Sequence, residues 1–344
     1  MKRRKIIVIS ISAALLSAVV AIGIWQWYRL MVCNVESRDG ERHLIYVYPD
    51  TPMDSLTATI EKDFEIHSPF SWRLHSRLLK WHTVKSGAYA IDSCEGNLAV
   101  IRRLRNGEQT PVKVSFKSIR TAEQLSGRLA SQLMMDSTEI VTRLRSEEYM
   151  AKYGLTLPTA VCLFLPDTYE MYWNISADAL FERMWHEYKA FWNAKRLEQA
   201  RQMGMTPTEI ATLASIVEGE TFHSFEKPIV AGLYINRLRK GMLLQADPTV
   251  IFAWQDFSIR RLLKSHLQID SPYNTYKHKG LPPGPIRIPS AASMDACLNY
   301  EHHNYIYMCA NADFSFTHKF AASYSEHKRN AREYQRELNK RKIK

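Results

Sequence analysis

The chain has none of the short signatures that mark the common catalytic machineries. It has no G-x-S-x-G elbow, no phosphate-binding P-loop, no G-x-G-x-x-G and no H-E-x-x-H. Its five cysteines, Cys33, Cys94, Cys162, Cys297 and Cys309, include no C-x-x-C pair. Their odd number and wide spacing supply neither a zinc site nor a disulfide framework. An exported domain could pair some of them, but the simplest expectation is that all five are small buried apolar residues. Histidines 302 and 303 adjoin without ligand spacing, so neither a metal nor a cofactor is expected. Internal repeats and low-complexity stretches are also absent.

What is present is a basic, apolar-rich chain of 344 residues with net charge +11 and 46% hydrophobic content. The charge sits mainly at the two ends, in "MKRRK" and "HKRNAREYQRELNKRKIK", while the middle mixes signs. That distribution suits a solvated C-terminal helix face better than a nucleic-acid surface, and no nucleic-acid partner is expected. Between Ile6 and Trp25 runs "IIVISISAALLSAVVAIGIW", about 20 uncharged residues, enough to span the roughly 30 Å hydrocarbon core as a helix. The preceding basic cluster places the N-terminus in the cytoplasm and sends the rest outward, and Trp25, Trp27 and Tyr28 follow as an interfacial belt. A cleaved signal peptide is the rival reading, disfavoured by the length of the run and the lack of a small-x-small cleavage site.

Beyond the anchor, residues 34–42 read as a polar linker. "HLIYVYP" (43–49) and "SGAYAI" (86–91) read as strands, "TPMDSLTATIEKDF" (51–64) as a helix, and 98–116 as a helix closed by Gly107 plus a strand carrying Val112, Val114 and Phe116 on one face. Long helical periodicity occupies 121–152 and 176–203, separated by "LFLPDTYEMYW" (163–173).

A further helix start is sharply marked. Thr206, Pro207 and Glu209 form a capping box with proline in the first turn, and Ile210, Leu213, Ala214 and Val217 make a buried stripe. Ala211, Ser215 and Glu218 lie on the adjoining face, with Gly219 as the expected stop. A carboxylate in that last turn feels the negative end of the helix dipole and loses water to apolar neighbours. Glu218 is therefore expected to stay protonated near neutral pH, as a general acid must.

Two blocks follow. In "KPIVAGLYINRLRKGMLLQADPTVIFA" (227–253) a second helix packs Val230, Leu233, Tyr234 and Leu238 inward, leaves Asn236 on another side and breaks at Gly241, after which Gln245, Asp247 and Thr249 surround a proline turn. These polar groups suit sugar hydroxyls and acetamido groups, although Asp247 taken singly is equally an Asx-turn residue. "SPYNTYKHKGLPPGPIRIPS" (271–290) is a stiff, proline-rich segment headed by Tyr273, Asn274, Thr275 and Tyr276, suited to the wall of an open groove.

In order and spacing, "LASIVEGET", "VAGLYINRLRKGMLLQADPTVIFA" and "SPYNTYKHKGLPPGPIRIP", with "LFLPDTYEMYW" and "VKSGAYAI" upstream, resemble the MltG/YceG-like family of endolytic murein transglycosylases. The resemblance departs at Gly219, where the family has lysine or a similar residue, and in "NADFSFTHKFAASYSEHKRN" (311–330), which keeps Glu326 and His327. It implies an α+β protein with a cytoplasmic tail (1–5), a transmembrane anchor (6–28), a linker (29–42), a LysM-like module (43–115) and a catalytic domain (116–344). It further implies a single-pass protein of the inner membrane whose catalytic domain faces the periplasm, acting on peptidoglycan glycan strands beside peptidoglycan synthases. The implied reaction cleaves the MurNAc-GlcNAc bond, leaves 1,6-anhydro ends and terminates nascent strands. Glu218 is the implied catalytic acid/base. Asn236, Gln245, Asp247, Thr249, Tyr273 and Asn274 are candidates for holding sugar, and Glu220, which would lie roughly 200° around from Glu218 if the helix continued, has a supporting role at most. The rivals are a hydrolytic muramidase, needing a second carboxylate such as Glu220, Glu226 or Asp247, and a non-catalytic glycan-binding scaffold.

Overall fold

The computed structural model of the chain describes residues 2–341, without the side chains of residues 2–5 and 8. The basic cluster expected to hold the N-terminus in the cytoplasm therefore lies outside the described side chains. The fold is mixed α+β and divides into two compact units, Met1–Val114 with Glu170–Ile175, and Ser115–Tyr169 with Ser176–Lys344.

The first unit opens with α1 (Lys2–Met31), in which Ile9–Met31 is long and apolar enough to cross a membrane. The helix outlasts the expected anchor, 6–28, and its end lies against Gly96. A Cβ on that glycine would come within 2.5 Å of the Leu30 carbonyl oxygen. The presumed linker is folded. Its β1 (Val35–Ser37) pairs antiparallel with β3 (Phe64–Ile66) and β5 (Cys94–Glu95), and Val35 is wholly buried. Three residues are too few to show alternation, and β1 exists because partners far along the chain complete its hydrogen bonds. Asn34 belongs to the same buried layer, donating to Asn97 Oδ1 at 2.8 Å and accepting from Ser68 N at 2.9 Å.

The strands expected at 43–49 and 86–91 and the helices expected at 51–64 and from 98 form, and a further helix over 69–78 joins them. β2 (His43–Val47) pairs antiparallel with β4 (Gly87–Ile91), His43 facing Ile91 and Val47 facing Gly87. Around these strands lie α2 (Met53–Asp63), α3 (Pro69–Leu78) and α4 (Asn97–Asn106), the last closed by Gly107 in the left-handed conformation at φ 75°. Val35, Ile45, Ile60, Phe64, Tyr89, Ile101 and Leu104 make one core, with Trp72 and Trp81 edge to face within it. The cysteine expectation fails here, because Cys33 and Cys94 are disulfide-bonded with Cα atoms 5.5 Å apart. Closing a loop of 61 residues restricts the unfolded chain enough to stabilise the fold by about 4 kcal/mol. Cys162 and Cys297 are buried as expected, and Cys309 is half-buried.

The chain passes between units within β6 (Val112–Ser115) and β7 (Thr168–Met171). In the second unit, the periodicity read as long helices is broken into α5 (Ala122–Ala130), α6 (Ser137–Leu144), α7 (Glu147–Ala151), α8 (Ala177–Phe191) and α9 (Ala194–Met203). The centre of this unit is α10 (Pro207–Glu220), packed against α11 (Lys227–Arg239), α12 (Asp247–Trp254) and α13 (Ala291–Leu298). A hairpin of β8 (Tyr307–Ala310) and β9 (His318–Ala321) precedes the last helix, α14 (Tyr324–Lys340).

Candidate active site

The capping box that marks α10 in the sequence forms in the structure. Thr206 Oγ1 accepts from Glu209 N at 3.2 Å, and the Glu209 carboxylate accepts from Thr206 N at 2.7 Å. Every residue from Ile210 to Val217 is buried, so the helix is a core element rather than an amphipathic surface one. Gly219 does not stop it. The helix continues to Glu220 and is capped by Thr221, whose N–H bonds the Val217 carbonyl. Gly219 instead permits a close approach, since a Cβ there would lie 2.9 Å from the Pro248 Cβ. Because the last turn is intact, Glu218 and Glu220 leave it in different directions.

Glu218 points to the start of α13. Its Oε2 accepts from Ser290 N at 2.8 Å, Ser290 Oγ at 2.6 Å and Ser293 Oγ at 2.6 Å, while Arg287 Nε stands 3.6 Å from Oε1. Burial pushes this carboxyl up, but the two hydroxyls, the N–H and the arginine together outweigh it and hold it below its ordinary value. The serines and Arg287 thus move Glu218 in the direction opposite to the one expected from helix dipole and burial alone. Its neighbourhood at the tip of a helix N-terminus is one that stabilises an anion.

Glu220 faces a cavity of about 420 Å³. Tyr234 Oη donates to its Oε1 at 2.8 Å, and Asp247, on the first turn of α12, lies across the same space. Burial pushes the Glu220 carboxyl up to about 7, with the Tyr234 hydroxyl and the Arg237 guanidinium opposing and the Asp247 charge reinforcing the rise. Its half-buried side chain lines the cavity.

Only some of the expected sugar-binding residues share this space. Gln245, held in the left-handed region at φ 51°, and Asp247 line it, and Tyr276 Oη donates to Asp247 Oδ1 at 2.5 Å. Thr249 is fully buried, donating to the Ala246 carbonyl at 2.7 Å and meeting Thr275 Oγ1 at 2.8 Å. Asn274, also buried, clamps the carbonyls of Leu267 and Ile269 at 2.9 and 2.8 Å. Asn236 donates to the carbonyls of His303 and Tyr305 at 2.7 and 3.1 Å, and Tyr273 packs on Phe252 with ring centroids 4.7 Å apart. These four residues hold the walls together rather than face the cavity.

Several cavity residues escaped the sequence reading. Tyr234, expected to pack inward, also lines the cavity, and Arg237 is buried, donating to the carbonyls of Ile306 at 2.6 Å and Leu244 at 2.8 Å. His318 and His327 come from β9 and α14, within the divergent C-terminal segment, with His327 half of the retained "EH" pair. Glu226 orients His318: its carboxylate accepts from His318 N at 2.7 Å, and Oε2 lies 3.1 Å from Nδ1.

A profile of the YceG-like family matches residues 45–333. The chain is similar to an endolytic murein transglycosylase of Bacillus subtilis strain 168, 24% identical over 283 residues, covering 77% of this chain and 78% of that one. It is also similar to the endolytic murein transglycosylase of Streptococcus pneumoniae strain D39, 21% identical over 318 residues, covering 82% of this chain but spanning only 56% of the relative. Among solved structures, the crystal structure of a YceG-like protein from Listeria monocytogenes shares the fold with a TM-score of 0.58. That match has 24% identity and covers 84% of this chain and 98% of the other.

Proposed function

Because this chain belongs to the YceG-like family, we propose that it is a membrane-anchored endolytic peptidoglycan transglycosylase, with Glu220 rather than Glu218 as its acid and base. The observation that carries the assignment is the cavity. It holds the carboxyl whose burial raises it to about 7, whereas Glu218 does not line that space and is held below its ordinary value by the serine donors and Arg287.

Glu220 protonates the oxygen joining N-acetylmuramic acid to the next N-acetylglucosamine, and the C1–O bond breaks. The charge developing at the anomeric carbon is shared by the substrate's own 2-acetamido group. Glu220, now ionised, takes the proton of the muramyl C6 hydroxyl, whose oxygen bonds to C1 and closes the 1,6-anhydro ring. No water is consumed, and the acid returns to its starting state. The Tyr234 hydroxyl keeps the carboxyl oriented through both transfers, and Gln245, Asp247 and Tyr276 are the groups available to sugar hydroxyls.

The first unit corresponds in this reading to the LysM-like module, beginning at Asn34 rather than at 43, and the second to the catalytic domain. A disulfide two residues beyond the end of α1 supports an oxidising, extracytoplasmic location for the module, with α1 as the anchor. Cleavage within strands on that side would end their elongation next to the peptidoglycan synthases.

The test is to incubate the detergent-solubilised full chain, and its Glu220→Gln variant, with uncrosslinked glycan and to weigh the new ends by mass spectrometry. Anhydro ends, lighter by about one water and missing with the variant, are expected. Reducing ends would replace this reading with a hydrolase, for which Asp247, in the same cavity as Glu220, is the available second carboxylate. Glycan bound without cleavage would indicate the scaffold.

A further inference from the structure

On the other side of the Gly219–Pro248 contact lies a second recess of about 350 Å³. Chain neighbours separate the two spaces: Gly219 and Pro248 line the second, Glu220 and Asp247 the first. Two guanidinium groups, Arg120 and Arg287, face the recess among Phe222, Phe252, Phe257 and Ile286. Among the described residues no carboxylate lines it and Arg120 makes no ion pair, its guanidinium lying 4.6 Å from the centroid of the Phe257 ring. Arg287 Nε is buried without a hydrogen-bond partner, with Glu218 the nearest acid at 3.6 Å. The like charges oppose each other: burial first and Arg287 second push the Arg120 guanidinium down.

Two cations set against one anion leave an uncompensated positive charge in an apolar recess. Guanidinium groups bind carboxylates in forked geometry, and aromatic and aliphatic walls suit the alkyl parts of amino acids. We infer that this recess binds the peptide stem carried by the muramyl sugar, a stem carboxylate resting between Arg120 and Arg287 while the glycan lies along Glu220. The inference rests on the reading of Glu220 as the acid of a glycan-cleaving enzyme. It makes the protein a reader of stem chemistry, selecting strands whose peptides are still attached and charged.

The experiment compares two lipid-free glycans, one with intact stems and one stripped by an amidase, cleaved by the full-length protein and by Arg120→Gln. Wild type is expected to cleave the stem-bearing glycan at least about tenfold faster, and the variant to narrow that ratio to within about threefold. An equal ratio in wild type and variant would overturn the inference while leaving the transglycosylase reading in place. If wild type cleaves neither glycan, the functional reading fails, and calorimetric binding of a muramyl tripeptide decides the recess separately. Tighter binding of the charged tripeptide than of its fully amidated form, lost in Arg120→Gln, supports the site. Equal binding of the two forms overturns it.

Discussion

Glu218 and Glu220 leave the same helical turn, and their surroundings differ in almost every respect that sets a carboxyl's chemistry. One is met by two serine hydroxyls, a backbone N–H and an arginine; the other by a single tyrosine hydroxyl, a nearby acid and a cavity. Proximity in sequence therefore says little about role. The number of donors aimed at a carboxylate decides whether it is a fixed anion or a mobile proton source.

The most forceful way to break this comparison is to remove each acid in turn. Glu220→Gln should lower the rate of glycan cleavage by about 10³-fold or more in a chain that unfolds at no lower temperature than wild type. Glu218→Gln should do the reverse. Cleavage should fall only about tenfold, while thermal or denaturant unfolding shows a loss of about 1–3 kcal/mol, because Arg287 and two serines lose a charged acceptor. If instead Glu218→Gln abolishes turnover and Glu220→Gln does not, the roles are exchanged.

Titration sharpens the contrast. The Glu220 carboxyl, raised to about 7 in the folded chain, binds its proton more tightly there than when unfolded. Its contribution to stability is therefore lost as pH rises from about 4.5 to about 7, and kcat/KM should decline above about pH 7 as the acid ionises. Glu218, whose pKa is lowered, contributes stability above its unfolded pKa and loses it as pH falls through the folded one, on the acid side of the Glu220 window. Tyr234→Phe removes a hydrogen bond that favours the Glu220 anion, so the alkaline limb of the rate profile should move to higher pH, with a several-fold loss at its optimum. The smallest effect on catalysis is expected from Thr249→Val. That change deletes hydrogen bonds inside the wall and should lower stability by about 1 kcal/mol with KM unchanged.

Much of this was legible in the sequence. The capping box at Thr206 and Glu209, the stripe from Ile210 to Val217 and the left-handed stop at Gly107 are local patterns, and each forms as the spacing requires. What escaped depends on residues remote along the chain. Dipole and burial alone predicted a protonated Glu218, but Ser290 and Ser293, more than 70 residues away, reverse the balance. Reading Gly219 as a helix stop hid the fact that Glu220 still belongs to the helix and is aimed by it. The strand at Val35–Ser37 and the Cys33–Cys94 pair likewise depend on partners that five scattered cysteines and a polar stretch could not identify.

The position of that sulfur bridge has a mechanical consequence. Cys33 is the second residue beyond α1, and Cys94 lies in the last strand before α4. Tension drawn along α1 would reach Cys33 and pass through a covalent bond to Cys94, leaving the intervening sheet and helices unloaded. A pull on α1 would then be felt by α4 and the chain beyond it while β1, which holds only three residues, need not resist any of it.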